Sequence, residues 1–194
     1  MRDMVKPTIT LFVICFAVAL CLALVNSLTK ETIIERAIAG AEEQRKQVLS
    51  EAERFKKLEN WKDKTNNEIV REAYSAYKGE KLVGYVFSAF PKGYGGEMQI
   101  TVGITSDGKV SGVSLGDNKE TPGLGTKASE DDFIGQYKGK NSQNTLQVVK
   151  RAPSADNEIQ AISGATITSK AVTSAVQASA ELAGKLMQDG GEAE

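Results

Sequence analysis

The feature that most constrains this chain is a run of twenty uncharged and mainly apolar residues near the N-terminus, residues 9–28. A helix rises about 1.5 Å per residue, so this run spans roughly 30 Å, the thickness of one hydrocarbon core. Arg2 and Lys6 precede the run as basic residues precede a secretory signal, and we expect an uncleaved anchor. The rest of the 194-residue chain then accommodates one ordinary domain.

Behind the anchor, apolar residues recur at steps of three, four or seven among charged residues, which indicates an amphipathic stalk helix. We expect this helix to cover one face of the domain, because Arg45 interrupts the apolar seam that a coiled-coil dimer needs. The polar residues 61–67 are typical of a linker or a cap. The recurring apolar residues are Ile34, Ile38, Ala41, Val48, Ala52 and Phe55.

From residue 68 the apolar period changes to two, the period of half-buried strands. Gly79 and Gly108 mark two hairpin turns, so the strands are expected to be antiparallel. The alternating residues are Val83, Tyr85, Phe87 and Ala89, then Ile100, Val102 and Ile104, then Val113 and Leu115.

Later segments add helices to this sheet. A short helix capped by Ser129 is predicted to run to about Tyr137, followed by a strand at 145–150 and a helix at 170–187. The sequence therefore predicts an α+β chain: one transmembrane helix with an amphipathic stalk, then a mainly antiparallel sheet domain with flanking helices. The predicted segments are an N-terminus (1–8), the anchor (9–28), the stalk and linker (29–65), the domain (66–187) and a flexible tail (188–194).

The composition excludes several classes of site. The sequence has no histidine, which removes the commonest metal ligand and excludes a Ser-His-Asp hydrolase. Its only cysteines, Cys15 and Cys21, lie in the apolar run, where we expect apolar fillers or, alternatively, a packing contact with a metal cluster of a neighbouring subunit. A formal net charge of -1 with both signs interspersed gives no argument for a nucleic-acid partner. We expect no metal site and no catalytic side chain.

Residues 163–169, Ser-Gly-Ala-Thr-Ile-Thr-Ser, place four hydroxyl groups just before the last predicted helix. Unpaired backbone N–H groups and the positive end of the helix dipole favour a phosphate or carboxylate at such a position. The simpler interpretation is that Thr168 or Ser169 caps the helix.

A second segment, residues 120–125, has the order Glu-Thr-Pro-Gly-Leu-Gly. Proline fixes φ and glycine reaches unusual conformations, so this segment is expected to expose backbone amides. Residues 94–96, Tyr-Gly-Gly, are either a binding loop or a wide turn.

The two motifs, in this order behind one N-terminal anchor, resemble the covalent FMN-binding domain of respiratory membrane complexes. That family includes the G subunit of the Rnf complex and the C subunit of the Na+-pumping NADH:quinone oxidoreductase, and the short, compact chain favours the former. The resemblance covers roughly residues 66–187, which it implies are an FMN-binding domain.

The resemblance implies that FMN is attached covalently, through a phosphoester to Thr166, the last residue of the Ser-Gly-Ala-Thr motif. Lys170 is either a counter-charge to the phosphate or a solvated surface lysine. The family motif usually has an aspartate three positions before the serine, where this chain has Gln160. The implied cofactor-binding residues are Glu120, Thr121, Gly123, Leu124, Gly125, Ser163, Gly164, Ala165, Ile167, Thr168 and Lys170.

The resemblance also implies a function: electron transfer between the ferredoxin and NAD+ sides of an ion-pumping Rnf complex, in which the chain is not catalytic alone. The implied partners are the other integral and peripheral subunits and a flavin transferase. The implied location is the cell (inner) membrane, with residues 1–8 in the cytoplasm and the domain outside it. Two alternatives fit the residues: a membrane-anchored, non-redox module for a phosphate or other anionic ligand, and a stand-alone flavin reductase.

Overall fold

The computed structural model describes residues 2–65, 67–141 and 144–188. They fall into two compact units, residues 1–42 and 43–194. Most of the predicted tail, residues 189–194, lies outside the described residues. In chain order the elements are α1 (Arg2–Val48), β1 (Arg54–Lys57), β2 (Val70–Lys78), β3 (Lys81–Ala89), β4 (Ile100–Thr105), β5 (Val110–Leu115), α2 (Asp131–Ile134), β6 (Gln147–Val149), β7 (Glu158–Gln160) and α3 (Thr166–Gln188).

The first unit contains the apolar part of α1. Its segment Val5–Lys30 is long and apolar enough to cross a membrane, with a mean hydropathy of 2.9. The large apolar side chains of this segment are exposed, and the rings of Phe12 and Phe16 stack on one another 6.2 Å apart. Cys15 and Cys21 are free thiols on the same exposed surface. Because none of this surface is buried within the chain, it needs an apolar environment such as a bilayer.

The second unit is built on a five-stranded antiparallel sheet in the order β1-β2-β3-β4-β5. The predicted sheet and both predicted hairpin turns are confirmed. Gly79, between β2 and β3, has a φ of 59°, and Gly108, between β4 and β5, has a φ of 78°. These left-handed conformations cost glycine little because it has no Cβ.

The main core lies between the sheet and α3. Phe87 and Val102 of the sheet share one buried cluster with Val172, Val176 and Leu182 of α3. Each such side chain contributes about 1.5–3 kcal/mol when fully buried, so packing rather than helix propensity holds α3 in place. The helix predicted at 170–187 is confirmed, and it begins earlier, at Thr166.

The end of α1 covers other residues of the sheet, as the stalk prediction requires. Val48 forms a second buried cluster with Val86 of β3, whose neighbour Phe87 belongs to the main core. This alternation is expected of a strand with two buried faces. A Cβ on Gly103 would overlap the carbonyl oxygen of Val48, and one on Gly112 would lie 3.0 Å from it. These two glycines therefore let the helix end approach the sheet closely.

The predicted helical course through Ala52 and Phe55 is wrong, because α1 ends at Val48 and Phe55 lies in β1. The hydroxyl of Ser111 donates to the carbonyl oxygen of Val48. The chain then turns, and the N–H of Glu53 donates to the carbonyl oxygen of Tyr77 at 2.8 Å. Hydrogen bonds to the sheet edge thus override the helical spacing of the apolar residues.

Two residues expected in a seam and in a linker are buried instead. Arg45 is 8% exposed, and its guanidinium carbon lies 4.4 Å from the centre of the Tyr74 ring, a cation–π contact. Trp61, expected in a polar linker or cap, is 4% exposed and belongs to the main core. The large apolar area of one tryptophan outweighs the polarity of the residues around it.

The segment between the sheet and α3 departs further from expectation. Ser129 does not cap α2, because its hydroxyl donates to the carbonyl oxygen of Thr126 at 2.8 Å and Glu130 precedes the helix. A 3-10 turn continues α2 to Tyr137, the predicted end. The strand predicted at 145–150 is confirmed as β6, but it pairs in parallel with β7, a three-residue strand with no sequence signal.

Candidate cofactor site

A cleft of about 710 Å³ lies at the start of α3, within the range of roughly 300–1,000 Å³ typical of ligand pockets. Both sequence motifs line it, so the fold brings together two segments that are distant in the chain. The lining residues are Tyr94, Glu120, Thr121, Leu124, Gly125, Lys150, Gln160, Ala161, Ile162, Ser163, Gly164, Ala165, Thr166, Ile167 and Thr168.

Two of the residues named from the sequence lie elsewhere. Gly123 shapes the loop instead of lining the cleft: its φ is 75° and its N–H donates to the Thr126 hydroxyl at 2.9 Å. Lys170 is exposed and is not among the lining residues. The lysine that lines the cleft is Lys150, which follows β6 and which the sequence pattern did not reveal.

The hydroxyl-rich segment stands at a helix N-terminus, as predicted. The N–H of Ser169 donates to the carbonyl oxygen of Ala165 at 3.0 Å. The N–H groups of Thr166, Ile167 and Thr168 come before this bond in the first turn of α3, so they have no acceptor within the helix. These groups, with the positive end of the helix dipole, give the cleft an anion-binding wall.

The four hydroxyls of the segment divide into two pairs. Thr168 and Ser169 are buried inside α3, so the expectation that either is the N-cap is wrong. The Thr168 hydroxyl donates to Glu120 at 2.6 Å, and the Ser169 hydroxyl accepts from the N–H of Ile162 at 3.0 Å. Among the residues that the structure describes, the hydroxyls of Ser163 and Thr166 have no hydrogen-bond partner. Those two line the cleft and are available to a ligand.

Glu120 is fixed inside the wall of the cleft. It is 6% exposed, and its second carboxylate oxygen accepts the N–H of Gly95 at 3.0 Å. A Cβ on Gly93 or Gly125 would overlap the carboxylate, so these glycines leave the space that the side chain occupies. Both oxygens of Glu120 therefore serve contacts within the chain, whereas the family resemblance implied a contact with the cofactor.

The rim of the cleft is apolar and exposed. Tyr94 is 70% exposed, Leu124 44% and Ile167 54%. A Cβ on Gly164 would lie 3.2 Å from Leu124, so this glycine, with a φ of 79°, joins the two motifs closely. Apolar side chains around a polar floor are characteristic of a site for a ligand with an apolar ring and a charged tail.

An ion pair fixes the loop that connects the two strands beside the cleft. Arg151 donates to both oxygens of Glu158, at 2.8 and 2.6 Å. These bonds, with one from the Ser154 N–H at 2.7 Å, hold the pKa of Glu158 at about 2, below its ordinary value of 4.5. The backbone of Gln160 is held by the Gln136 side chain, whose oxygen accepts the Gln160 N–H at 2.7 Å.

The part of the chain that forms this cleft is similar to proteins of a known family. The FMN-binding domain family matches residues 93–181, which include both motifs. The G subunit of the proton-translocating ferredoxin:NAD(+) oxidoreductase complex of Clostridium ljungdahlii is 38% identical over 174 residues, covering 90% of this chain and 88% of that protein. The G subunit of the Na(+)-translocating complex of Acetobacterium woodii is 39% identical over 187 residues, covering 91% and 90%.

Solved structures agree on the fold. The C subunit of the Na(+)-translocating NADH-quinone reductase of Parabacteroides distasonis is 26% identical with a TM-score of 0.51, covering 60% of this chain and 62% of that one. NqrC of Shewanella oneidensis, at 18% identity and a TM-score of 0.52, covers 73% and 72% and shows the fold alone. Since its similarity to the two G subunits extends over nine-tenths of its length, this chain belongs to the FMN-binding domain family, among the G subunits of ion-translocating ferredoxin:NAD+ oxidoreductase complexes.

Proposed function

We propose that this chain is the FMN-carrying electron-transfer subunit of a membrane-bound, ion-translocating ferredoxin:NAD+ oxidoreductase complex, in which it works with the other subunits. The observation that carries the proposal is the start of α3, where the Thr166 hydroxyl has no partner among the described residues and the N–H groups of the same helical turn have no acceptor within the helix. The two G subunits, which match this chain over about nine-tenths of its length, belong to such complexes and support the assignment.

The residues of the cleft fit FMN. The N–H groups of the first turn of α3 suit a phosphate, and the apolar side chains of Leu124, Ile167 and Tyr94 suit the face of a flavin ring. Bound FMN supplies the capacity to accept and release electrons, which no side chain of the described cleft has. The chain supplies a fixed position, an apolar wall for the ring and an amide-lined wall for the charged end.

The proposed attachment point is Thr166. Of the two hydroxyls without a partner in the described structure, that of Thr166 belongs to the first helical turn, whereas Ser163 lies in the exposed turn before it. A flavin transferase would form the bond between Thr166 Oγ1 and phosphorus while the hydroxyl proton leaves to a base of the transferase. The flavin donor must then be a phosphoanhydride, whose P–O bond breaks and whose leaving phosphate takes the electron pair. Gly164, Ala165 and the exposed Ser163 leave the backbone accessible to such an enzyme.

We further propose that α1 anchors the domain on the extracytoplasmic side, with residues 1–8 in the cytoplasm. A covalent bond is useful there because it retains a cofactor that would otherwise diffuse away. The orientation is testable, since the sequence has no cysteine outside the apolar run. We expect a Glu181→Cys variant to react with a membrane-impermeant maleimide in intact spheroplasts. Protection until the membrane is broken would place the domain in the cytoplasm.

The test of attachment compares two hydroxyl variants. The full chain is produced with a flavin transferase, denatured and washed, and its intact mass is measured. We expect one FMN phosphoester on the wild type and on Ser163→Ala, and none on Thr166→Ala. An adduct that persists in Thr166→Ala would exclude this attachment point. A chain without any adduct that binds inorganic phosphate reversibly would instead indicate a non-redox anion-binding module.

The complex itself is tested by purification from the native membrane. We expect the chain to copurify with several membrane-spanning subunits. Recovery of the chain alone, with flavin reductase activity, would indicate the stand-alone enzyme instead.

A further inference from the structure

Glu120 places a fixed negative charge at the same helix end that is proposed to hold the phosphate. Its carboxylate accepts the Thr168 hydroxyl at 2.6 Å, in the first turn of α3, and it lines the same cleft. A carboxylate at a helix N-terminus is stabilised by the helix dipole. A second anion at that end is stabilised by the same dipole, but the first anion repels it.

The position of this carboxylate is determined by its surroundings. The N–H of Gly95 holds one oxygen at 3.0 Å, and a Cβ on Gly93 or Gly125 would overlap the side chain. Lys150, the lysine among the described lining residues, is exposed and has a flexible stem, so solvent and salt screen its charge. The buried charge of Glu120 is screened much less.

Resting on the function proposed above, we infer that Glu120 sets the charge of the phosphate that the cleft accepts. Free FMN is a phosphate monoester with a charge of about -1.5 to -2 at pH 7, whereas its ester with Thr166 is a diester with one negative charge. Glu120 repels the monoester more than the diester. The cleft therefore favours flavin that is already attached and holds free FMN weakly, which keeps the cleft open until the transferase has acted.

The first test varies the ligand and leaves Glu120 in place. The full-length Thr166→Ala variant in detergent, which cannot be esterified at this position, is titrated with FMN and with the methyl phosphodiester of FMN. We expect the diester to bind up to about tenfold more tightly than FMN, the effect of about a half to one charge fewer at a distance of several ångströms. Equal binding of the two, or tighter binding of FMN, would overturn the inference.

The second test varies the protein. Glutamine has nearly the shape of glutamate, can accept from the Gly95 N–H and can donate to the Thr168 hydroxyl. In the Thr166→Ala background we expect Glu120→Gln to raise the affinity for FMN about tenfold. Riboflavin, which has no phosphate, should bind within twofold of its previous affinity. Glu181→Gln, at an exposed position later in α3, is the matched control and should leave the affinities for FMN and riboflavin unchanged.

The outcomes separate this inference from the proposed function. The mass of the wild-type adduct tests attachment, whereas these titrations use a variant without the attachment hydroxyl. If Glu120→Gln leaves FMN affinity unchanged, or raises riboflavin affinity as much as FMN affinity, the charge of Glu120 does not discriminate between phosphate esters. In that case the attachment at Thr166 could still stand.

Discussion

The phenol of Tyr137 donates a hydrogen bond of 2.7 Å to the hydroxyl of Thr173 in the buried core. The direction follows from the second partner, because the Thr173 hydroxyl gives its own proton to the carbonyl oxygen of Ser169 at 2.8 Å. Burial raises the pKa of the Tyr137 phenol, which therefore remains a proton donor. These bonds connect the 3-10 turn after α2 to the first turns of α3.

This direction predicts unequal costs for two isosteric substitutions. Thr173→Val leaves a buried phenol without an acceptor and should reduce the free energy of unfolding by about 1–3 kcal/mol. Tyr137→Phe removes the donor but leaves Thr173 bonded to Ser169, and should cost about 0.5–1.5 kcal/mol. Urea unfolding followed by the fluorescence of Trp61, the single tryptophan, measures both. A larger cost for Tyr137→Phe would reverse the assigned direction.

The bond between Thr168 and Glu120 predicts a second pair of variants. Thr168→Val keeps the shape of the side chain but removes the donor to a buried carboxylate, so we expect a loss of about 1–3 kcal/mol in the free energy of unfolding. Thr168→Ser keeps the hydroxyl and should retain most of the stability. The same urea titration distinguishes them, and a loss in Thr168→Ser as large as that in Thr168→Val would contradict the prediction, because it would mean that the methyl group contributes as much as the hydrogen bond.

The glycines provide a third prediction with a control within the chain. In Gly125→Ala the new Cβ would overlap the carboxylate of Glu120, so the loop or the glutamate must move, and a loss of about 1–3 kcal/mol is expected. Gly135→Ala meets nothing within 4 Å, and its φ of -61° suits alanine. That control should be neutral or stabilising by up to about 1 kcal/mol. Thermal unfolding in detergent checks both, and similar melting temperatures would contradict the crowding at Gly125.

The ion pair between Arg151 and Glu158 predicts a dependence of stability on pH. Folding lowers the pKa of Glu158 from 4.5 to about 2, so its contribution is complete above pH 4.5 and disappears as the pH falls towards 2. Glu158→Gln should therefore be less stable than the wild type at neutral pH, and the difference should shrink across that window. Urea titrations of both proteins at several pH values measure it. A difference that stays constant from neutral pH to pH 2 would show that the ionisation of Glu158 is not involved.

The parts of the fold that could be read from the sequence are those with long periodic signals. The period-two runs predict β3, β4 and β5, and the apolar spacing predicts α3. The strands β1 and β7 have four and three residues, too few for a period, and each exists because a partner strand accepts it. Trp61 likewise shows that one large side chain can decide burial against the composition of its segment.

The candidate site, too, could be predicted from the sequence only in part. Its two motifs were predicted to act together, and the fold places ten of the twelve residues named from the sequence around one cleft. Lys150 was missed because it reaches the cleft only through the parallel pairing of β6 and β7, which joins strands across a long loop. The burial of Glu120 was missed because it depends on space left by Gly93 and Gly125, and sequence spacing does not report such space.

The second unit begins at residue 43, inside α1. The stability of a fragment without the membrane-spanning segment therefore depends on where in α1 it starts. Gln44 accepts the Thr101 hydroxyl at 3.1 Å, and Gln47 accepts the Ser114 hydroxyl at 3.2 Å. A soluble fragment that starts at residue 49 loses both bonds and uncovers Val86, whereas one that starts at residue 43 keeps them. We expect the longer fragment to melt at a higher temperature and to resist proteases better. The water-soluble part of this protein thus retains the last turns of its own anchor helix as structural material.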